Sequence, residues 1–340
     1  MTALSFREPD RVPLILGLTV HGAQELGLTI KEYFSRPANV AEAQVCMRRK
    51  YPHDAVTGFL YAAVEVEAWG GQVVFWEDGP PNSGEPFITN PDRIVSLEVP
   101  RVMETPCLRK GLQVIQLLKE RIGEEAVIPG AVTSPFSLPV MQMGFEKYLE
   151  LIQERPNVFE RLVRVNEEFC VSWANAQLEA GADAISYSDP LASPEFFPRE
   201  MYRSTGFEIA RRCISRIKGA VLYNMASARC LPIAAELSLT GASCLGVSAQ
   251  EDLGKVKGEC AGRIGVAGNL NGLEMRRWSQ EQAELAVKTC ISAAGPGGGF
   301  ILTDNHGEIP WQVPFRVVSW ISEAARKWGA YPLEWASEHG

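Results

Sequence analysis

The sequence predicts an α/β fold, a single (β/α)8 TIM barrel, from three observations. Eight short apolar runs recur along the chain, and they are continuous rather than alternating, as strands buried on both faces are. Longer stretches with helical spacing of apolar residues separate them. No GxGxxG loop follows the first run, where the chain reads "VHGAQELG", so an open doubly wound sheet with a phosphate cradle is the weaker alternative. A chain of 340 residues suits one such barrel, which takes about 250 residues, with the surplus in insertions.

The runs are Val12–Thr19, Ala55–Leu60, Ala126–Thr133, Ala184–Asp189, Ala220–Asn224, Cys244–Ser248, Ile264–Asn269 and Gly299–Asp304. Between the second and third, around 70–125, "GGQVVFWEDGPPNSGEPFITNPDRIVSLEV" is rich in turn residues and reads as an inserted hairpin and loop excursion within one domain, 1–340. "FEKYLELIQERPNVFERLVRVNEEFCVSWANAQLEA" carries apolar residues at three-and-four spacing, with "RPN" breaking it into two helices. "SQEQAELAVKTCISAAG" opens on Ser279 as an N-cap and closes on Gly295. "GPGGG" at 295–299 precedes a strand, so it reads as a helix stop and turn.

Composition removes several function classes. The formal net charge is −8 and the arginine pairs are isolated, which argues against nucleic acid as a partner. No stretch approaches the roughly 18 apolar residues of a membrane span. The opening "MTALSFREPDR" lacks a basic region followed by an apolar core, so no signal peptide is read there. Eight scattered cysteines without a CxxC pair read as reduced, buried thiols, and the expected location is the cytoplasm.

In barrel enzymes the site lies where the strands finish. The run ends are rich in polar groups: Thr19 and His21, Tyr61 with Glu65, Thr133 and Ser134, Tyr187 and Asp189, Tyr223 and Asn224, Ser248 with Gln250, Asn269, then Asp304 and His306. Strand alternation predicts that Tyr187 and Asp189 share one direction, as do Tyr223 and Met225, and Asp304 and His306. His306 ends the eighth run beside an aspartate, a setting in which an imidazole is oriented, charged or made a ligand. Structural readings stand beside these. Asp189 precedes Pro190 and so suits a turn. Asn269 in "GNLNG" suits a cap, Glu67 complements a helix dipole, and His53 and His339 read as surface residues.

These segments carry a resemblance. "GAVTSPFSLPVMQMG", "GADAISYSDPLASPEFFPREMY", "VAGNLNG", "GFILTDNHGEIP" and "DAVTGFLYAAVEVEAWGGQVVFWEDGPP" together resemble the uroporphyrinogen decarboxylase superfamily over nearly the whole chain. Within it they resemble the corrinoid-dependent branch typified by methylcobamide:coenzyme M methyltransferases. The resemblance implies a (β/α)8 barrel. It also shows departures. The decarboxylases' arginine-rich segment after strand one, which grips substrate carboxylates, is "LGLTVHGAQELG" here, and Tyr61 stands where they carry an aspartate after strand two. A polycarboxylate porphyrinogen is therefore poorly served. The thiol-methylating branch holds zinc by His-x-Cys on strand five and Cys on strand eight. Here Tyr223 and Met225 occupy the first two places and His306 lies at or beside the third. Tyr and Met are poor zinc ligands. Zinc stays an option only as a rebuilt site, His306 with Glu251 or Asp189.

The expected function is a corrinoid-dependent methyltransferase moving methyl between a small methylated donor, such as a methoxylated aromatic, and the cobalt of a separate corrinoid protein. Such O-demethylation belongs to anaerobic metabolism. His306, Tyr223 and Asp189 are the expected catalytic groups, because the departing oxygen needs an acid, a donor or a Lewis acid. Tyr61, Glu65, Phe136, Tyr187, Asn224, Met225, Asn269 and Asp304 are the expected substrate contacts, with Phe59 and Trp311 as further aromatics that can flank a ring. A homodimer stands among the expectations. The alternatives are a decarboxylase or carbon–carbon lyase acting without corrinoid through His306 and Asp189, and a non-catalytic binding barrel.

Overall fold

The computed structural model describes residues 2–304 and 307–338, so His306 and His339 lie outside the described residues. The last six runs form one parallel sheet in sequence order: Pro129–Thr133, Ala184–Ser188, Ala220–Asn224, Cys244–Gly246, Gly265–Leu270 and Phe300–Asp304. They are called here the third to eighth strands. The first two runs join them through single parallel bridges, Leu14 opposite Leu302 and Ala55 opposite Val127. Ile15 N donates to Leu302 O at 2.9 Å, Asp54 N to Leu14 O at 2.7 Å and Val56 N to Val127 O at 2.9 Å. The two edges of the sheet are thereby linked into a ring of eight.

The ladder is sparse between the first three strands, and side chains complete it. Gln44 donates to Leu18 O (2.7 Å) and accepts from Thr57 N (2.9 Å). Gln177 accepts from Ala131 N and donates to Ala131 O, both at 2.9 Å. Glu65 accepts from Thr133 N at 3.0 Å. Buried backbone groups need partners, and these three buried side chains supply them.

Two glycines fix which strand face meets the helices. A Cβ at Gly130 would lie 2.5 Å from Gln177 Oε1 and 3.0 Å from Ile185 Cδ1, and one at Gly219 would lie 2.8 Å from Leu178 Cδ2. Gln177 and Leu178 belong to the helix Pro156–Glu179. By alternation, Ile185 and Tyr187, and Val221 and Tyr223, face that helix layer. The residues between them, Ala131 and Thr133, Ser186 and Ser188, Leu222 and Asn224, face the lumen. The helix-facing set is buried and the lumen-facing set is partly accessible, so the lumen is not filled by its own side chains. The short turn Thr2–Ser5 closes its lower end: Gly299 N donates to Ala3 O at 2.8 Å, and a Cβ at Gly265 would lie 2.9 Å from Leu4 Cδ2.

Around the barrel, the helices Phe145–Glu154 and Pro156–Glu179 are split by the proline. Ser279 and Gln282 form a capping box on Gln280–Ala294, with Gly295 at its C-cap. The excursion after the second run contains a two-residue hairpin, Val73 opposite Ser83 and Val74 opposite Asn82. His53 corrects a sequence expectation. It is 4% exposed rather than on the surface, neither ring nitrogen finds a partner among the described residues, and burial lowers its pKa to about 4.

Candidate functional site

Asp189 and Tyr223 come together, as the sequence predicts, but behind the barrel wall. The Asp189 carboxylate accepts from Tyr223 OH (2.5 Å), Ser134 Oγ (2.5 Å) and Ser137 Oγ (2.6 Å). The Tyr202 hydroxyl lies 3.2 Å from that of Tyr223, and the Tyr187 ring packs 5.4 Å from the Tyr223 ring. All of these side chains are buried. Burial raises the Asp189 pKa against the pull of its three donors, and burial followed by the Asp189 charge raises that of Tyr223. Tyr187 is raised by burial and by the neighbouring Cys213. The expectation that Tyr187, Asp189 and Tyr223 open onto the mouth is therefore corrected. The strand parity is opposite to the one assumed, and a one-residue change of parity moves a whole set to the other face.

Other predicted residues are spent on structure. Glu65 holds the third strand's amide, and burial raises its pKa to about 8. Tyr61 donates to Glu67 at 2.7 Å and packs edge-on against Phe34 and Phe75. Phe136 sits between Tyr148 and Phe197 in an aromatic cluster. Asn269 donates to the carbonyls of Ser248 (3.0 Å) and Glu251 (3.1 Å), pinning that loop. Glu251 accepts from Cys230 N and Leu231 N. Met225 is fully buried. His21 lies against Val313 O and the Phe315 ring, and burial lowers its pKa to about 4, which keeps it neutral.

Thr19, Asn224 and Asp304, polar run ends that the sequence names, meet at the mouth with Glu308, Gly17 and Gly307, which it does not. Thr19 Oγ1 donates to Glu308 Oε2 at 2.5 Å, and Ile309 N donates to Gly17 O at 2.8 Å. Asp304 Oδ2 accepts from Gly307 N at 2.9 Å. A Cβ at Gly17 would lie 2.9 Å from both Glu308 Cα and Gly307 O, and one at Gly307 would lie 2.8 Å from Asn224 Nδ2. Residues 307 and 308 therefore reach over the lumen from the eighth strand to the fifth. Asn224 is the predicted substrate contact that the structure places in the lumen. On the same rung of the sheet its register partners are Ser188 and, through it, Thr133.

A zinc site of the thiol-methylating kind does not fit these residues. Tyr223 is committed to Asp189 on the helix side, Met225 is a poor ligand, and Glu251 is occupied by two backbone amides. Among the described residues no group of three His, Cys, Asp or Glu side chains is placed to hold a metal.

The comparisons with known proteins agree with this architecture. The family profile described as Uroporphyrinogen decarboxylase (URO-D) matches residues 1–328. The chain belongs to the uroporphyrinogen decarboxylase family. Among curated members, it is 24% identical over 210 residues to the methylcobamide:CoM methyltransferase MtaA of Methanosarcina barkeri (strain Fusaro / DSM 804), a match covering 60% of this chain and 61% of that protein. The chain thus spans about three fifths of the length of that relative. It is 22% identical over 308 residues to the uroporphyrinogen decarboxylase of Cupriavidus necator, covering 85% of this chain and 83% of that one. Among solved structures, a methyltransferase from Methanosarcina mazei superposes with a TM-score of 0.85 at 20% identity, covering 96% of each chain. That likeness establishes the fold, the (β/α)8 barrel of the uroporphyrinogen decarboxylase type. No helix among the described residues is long and apolar enough to cross a membrane.

Proposed function

We propose that this member of the family is a corrinoid-dependent methyltransferase. It moves a methyl group between a small neutral oxygen donor, a methoxylated aromatic, and the cobalt of a separate corrinoid protein docked at the mouth. The observation that carries this reading is the lumen wall. Its strand positions are Ile15, Gly17, Thr57, Phe59, Ala131, Thr133, Ser186, Ser188, Leu222, Asn224, Gly246, Ala267, Ile301 and Thr303, and none of them bears a charge. A polycarboxylate needs cations, and these positions offer none. An aryl methyl ether needs apolar walls for its ring and neutral donors for its oxygen, which Phe59, Leu222 and Ile301 on one hand, and Ser188 and Asn224 on the other, supply.

The chemistry asks little acid–base work of the protein. The methyl leaves as an electrophile, its former bonding pair stays on oxygen, and cobalt(I) on the partner supplies the pair for the new bond. What this chain contributes is alignment of the ether, exclusion of water and donors for the oxygen as it gains charge. The mouth loop 307–308 and the buried Ile309 shield that space. Decarboxylation by an Asp189–His306 pair is the poorer reading, because the buried Asp189 faces the helix layer and accepts from three hydroxyls there.

The test is anaerobic incubation of the protein with cob(I)alamin and a panel of donors. Methoxyphenols are expected to yield methylcob(III)alamin, seen by absorbance, with one equivalent of free phenol. Silence across aryl ethers, methanol, methylamines and thioethers overturns the reading.

A further inference from the structure

We infer that Asn224 is a catalytic hydrogen-bond donor whose Nδ2 amide receives the negative charge that develops on the leaving oxygen, with the Ser188 hydroxyl beside it on the neighbouring strand. The inference rests on the methyl-transfer reading of the lumen and assigns a residue and a role within it.

The orientation of the carboxamide is fixed from one side. Asn224 Oδ1 accepts from Ala226 N at 2.8 Å, which identifies the oxygen and turns Nδ2 the other way. Among the described residues no acceptor takes a bond from Nδ2, although the side chain is only partly accessible. The price of this arrangement is visible in the backbone: Ala226 holds φ +50°, a left-handed conformation costly for a residue with a side chain. Glycines keep the space around the amide open. At Gly307, φ +87°, a Cβ would meet Nδ2 at 2.8 Å, and at Gly246 one would approach Oδ1 at 3.6 Å. The register sets Ser188 directly opposite Asn224 and Thr133 opposite Ser188, so three neutral polar side chains line one rung of adjacent strands. Below them lie Ala131, Ser186 and Leu222, then Pro129, Ala184 and Ala220, mostly small side chains that leave room for a ring.

A neutral amide suits this task better than a charged group. In the ether it makes one ordinary hydrogen bond. As the carbon–oxygen bond breaks, the pair remaining on oxygen converts that contact into a charge-assisted one, which is stronger in the transition state than in the ground state. Fixed donors of this kind are worth about 10²–10³-fold in kcat. The phenolate then takes its proton from solvent once the mouth opens, and no further reactant is needed.

The experiment uses the full chain with Asn224→Ala and Asn224→Asp; the latter keeps the shape and the bond from Ala226 if the first variant folds poorly. Two readouts are taken. In steady-state transfer from a methoxyphenol to cob(I)alamin, both variants are expected to lose about 10²-fold in kcat, with KM changing less than about threefold. In a binding titration without corrinoid, 4-nitrophenol is followed by its absorbance. Its pKa is expected to be lower in the wild-type site than in either variant, by about one unit, a tenfold preference for the bound phenolate. Failure of wild type to bind 4-nitrophenol, an unchanged bound-phenol pKa, or kcat within twofold of wild type overturns the assignment. If no donor yields methylcobalamin but the bound-phenol shift appears and is lost in the variants, the methyl-transfer reading falls and Asn224 stands as an anion-stabilising donor.

Discussion

Three hydroxyls donate to the Asp189 carboxylate, and among the described residues no cation pairs with it. A carboxylate in that position is kept in place by hydrogen bonds alone, so its donors and its own oxygens depend on one another. Asp189→Ala leaves Ser134, Ser137 and Tyr223 without their acceptor and is expected to destabilise the fold by about 3 kcal/mol, while Tyr223→Phe removes one donor and costs about 1–2 kcal/mol. Urea unfolding monitored by circular dichroism measures both, and equal stabilities would contradict the network. Glu65 gives a pH dependence of known sign. Burial lifts its folded pKa to about 8 from an ordinary value of 4.5, so the folded chain holds the proton that the unfolded chain releases. Its contribution is full below pH 4.5 and is lost as pH rises through 8, up to about 5 kcal/mol. Glu65→Gln keeps an oxygen for Thr133 N and removes the titration. Its unfolding midpoint relative to wild type is expected to rise between pH 5 and pH 8; a gap independent of pH would show that Glu65 does not titrate in that window.

At the level of strands and helices, the positions of the elements were legible and their faces were not. The eight runs, the break at Pro156 and the cap at Ser279 depend on apolar continuity, proline and local capping chemistry, all written in short stretches of sequence. Parity is different. A strand buried on both faces has no alternation to reveal which side meets the helices, so Tyr223 and Asn224 were both credible mouth residues from sequence alone. The signal that decides it is Gly130 and Gly219, which admit Gln177 and Leu178 where a side chain would clash, and such packing is visible only in three dimensions. The structural roles of Gln44, Gln177 and Glu65 were not legible for a related reason: each bonds strand backbone that is remote from it in the chain. Gln177→Met preserves volume and removes both bonds to Ala131, leaving a buried N–H and C=O unpaired. The expected loss is about 2–4 kcal/mol by chemical denaturation. A loss under about 0.5 kcal/mol would mean that the third strand's edge finds other partners.

Seen as a whole, the barrel is a ring of unequal strength. The third to eighth strands share continuous ladders, whereas the first and second hold their neighbours through isolated bridges and side-chain bonds. The lumen depends on both parts, because Gly17 and Thr19 of the first run seat the loop that carries Gly307 and Glu308 over Asn224. The free energy of local opening falls where fewer ladder bonds must break, so the ring is expected to open first along the first two strands without unfolding the sheet. Native-state hydrogen exchange tests this. Amides at Leu222, Leu245 and Val266 should exchange most slowly, near the rate set by global unfolding, while those of Ile15 and Val56, although bonded and helped by a buried core, should exchange faster. Opening along that seam frees the mouth loop from Thr19 and Gly17 and so uncovers the lumen. Uniform protection around all eight strands would mean that the ring opens only by unfolding, and that entry must come through movement of the 307–308 loop alone.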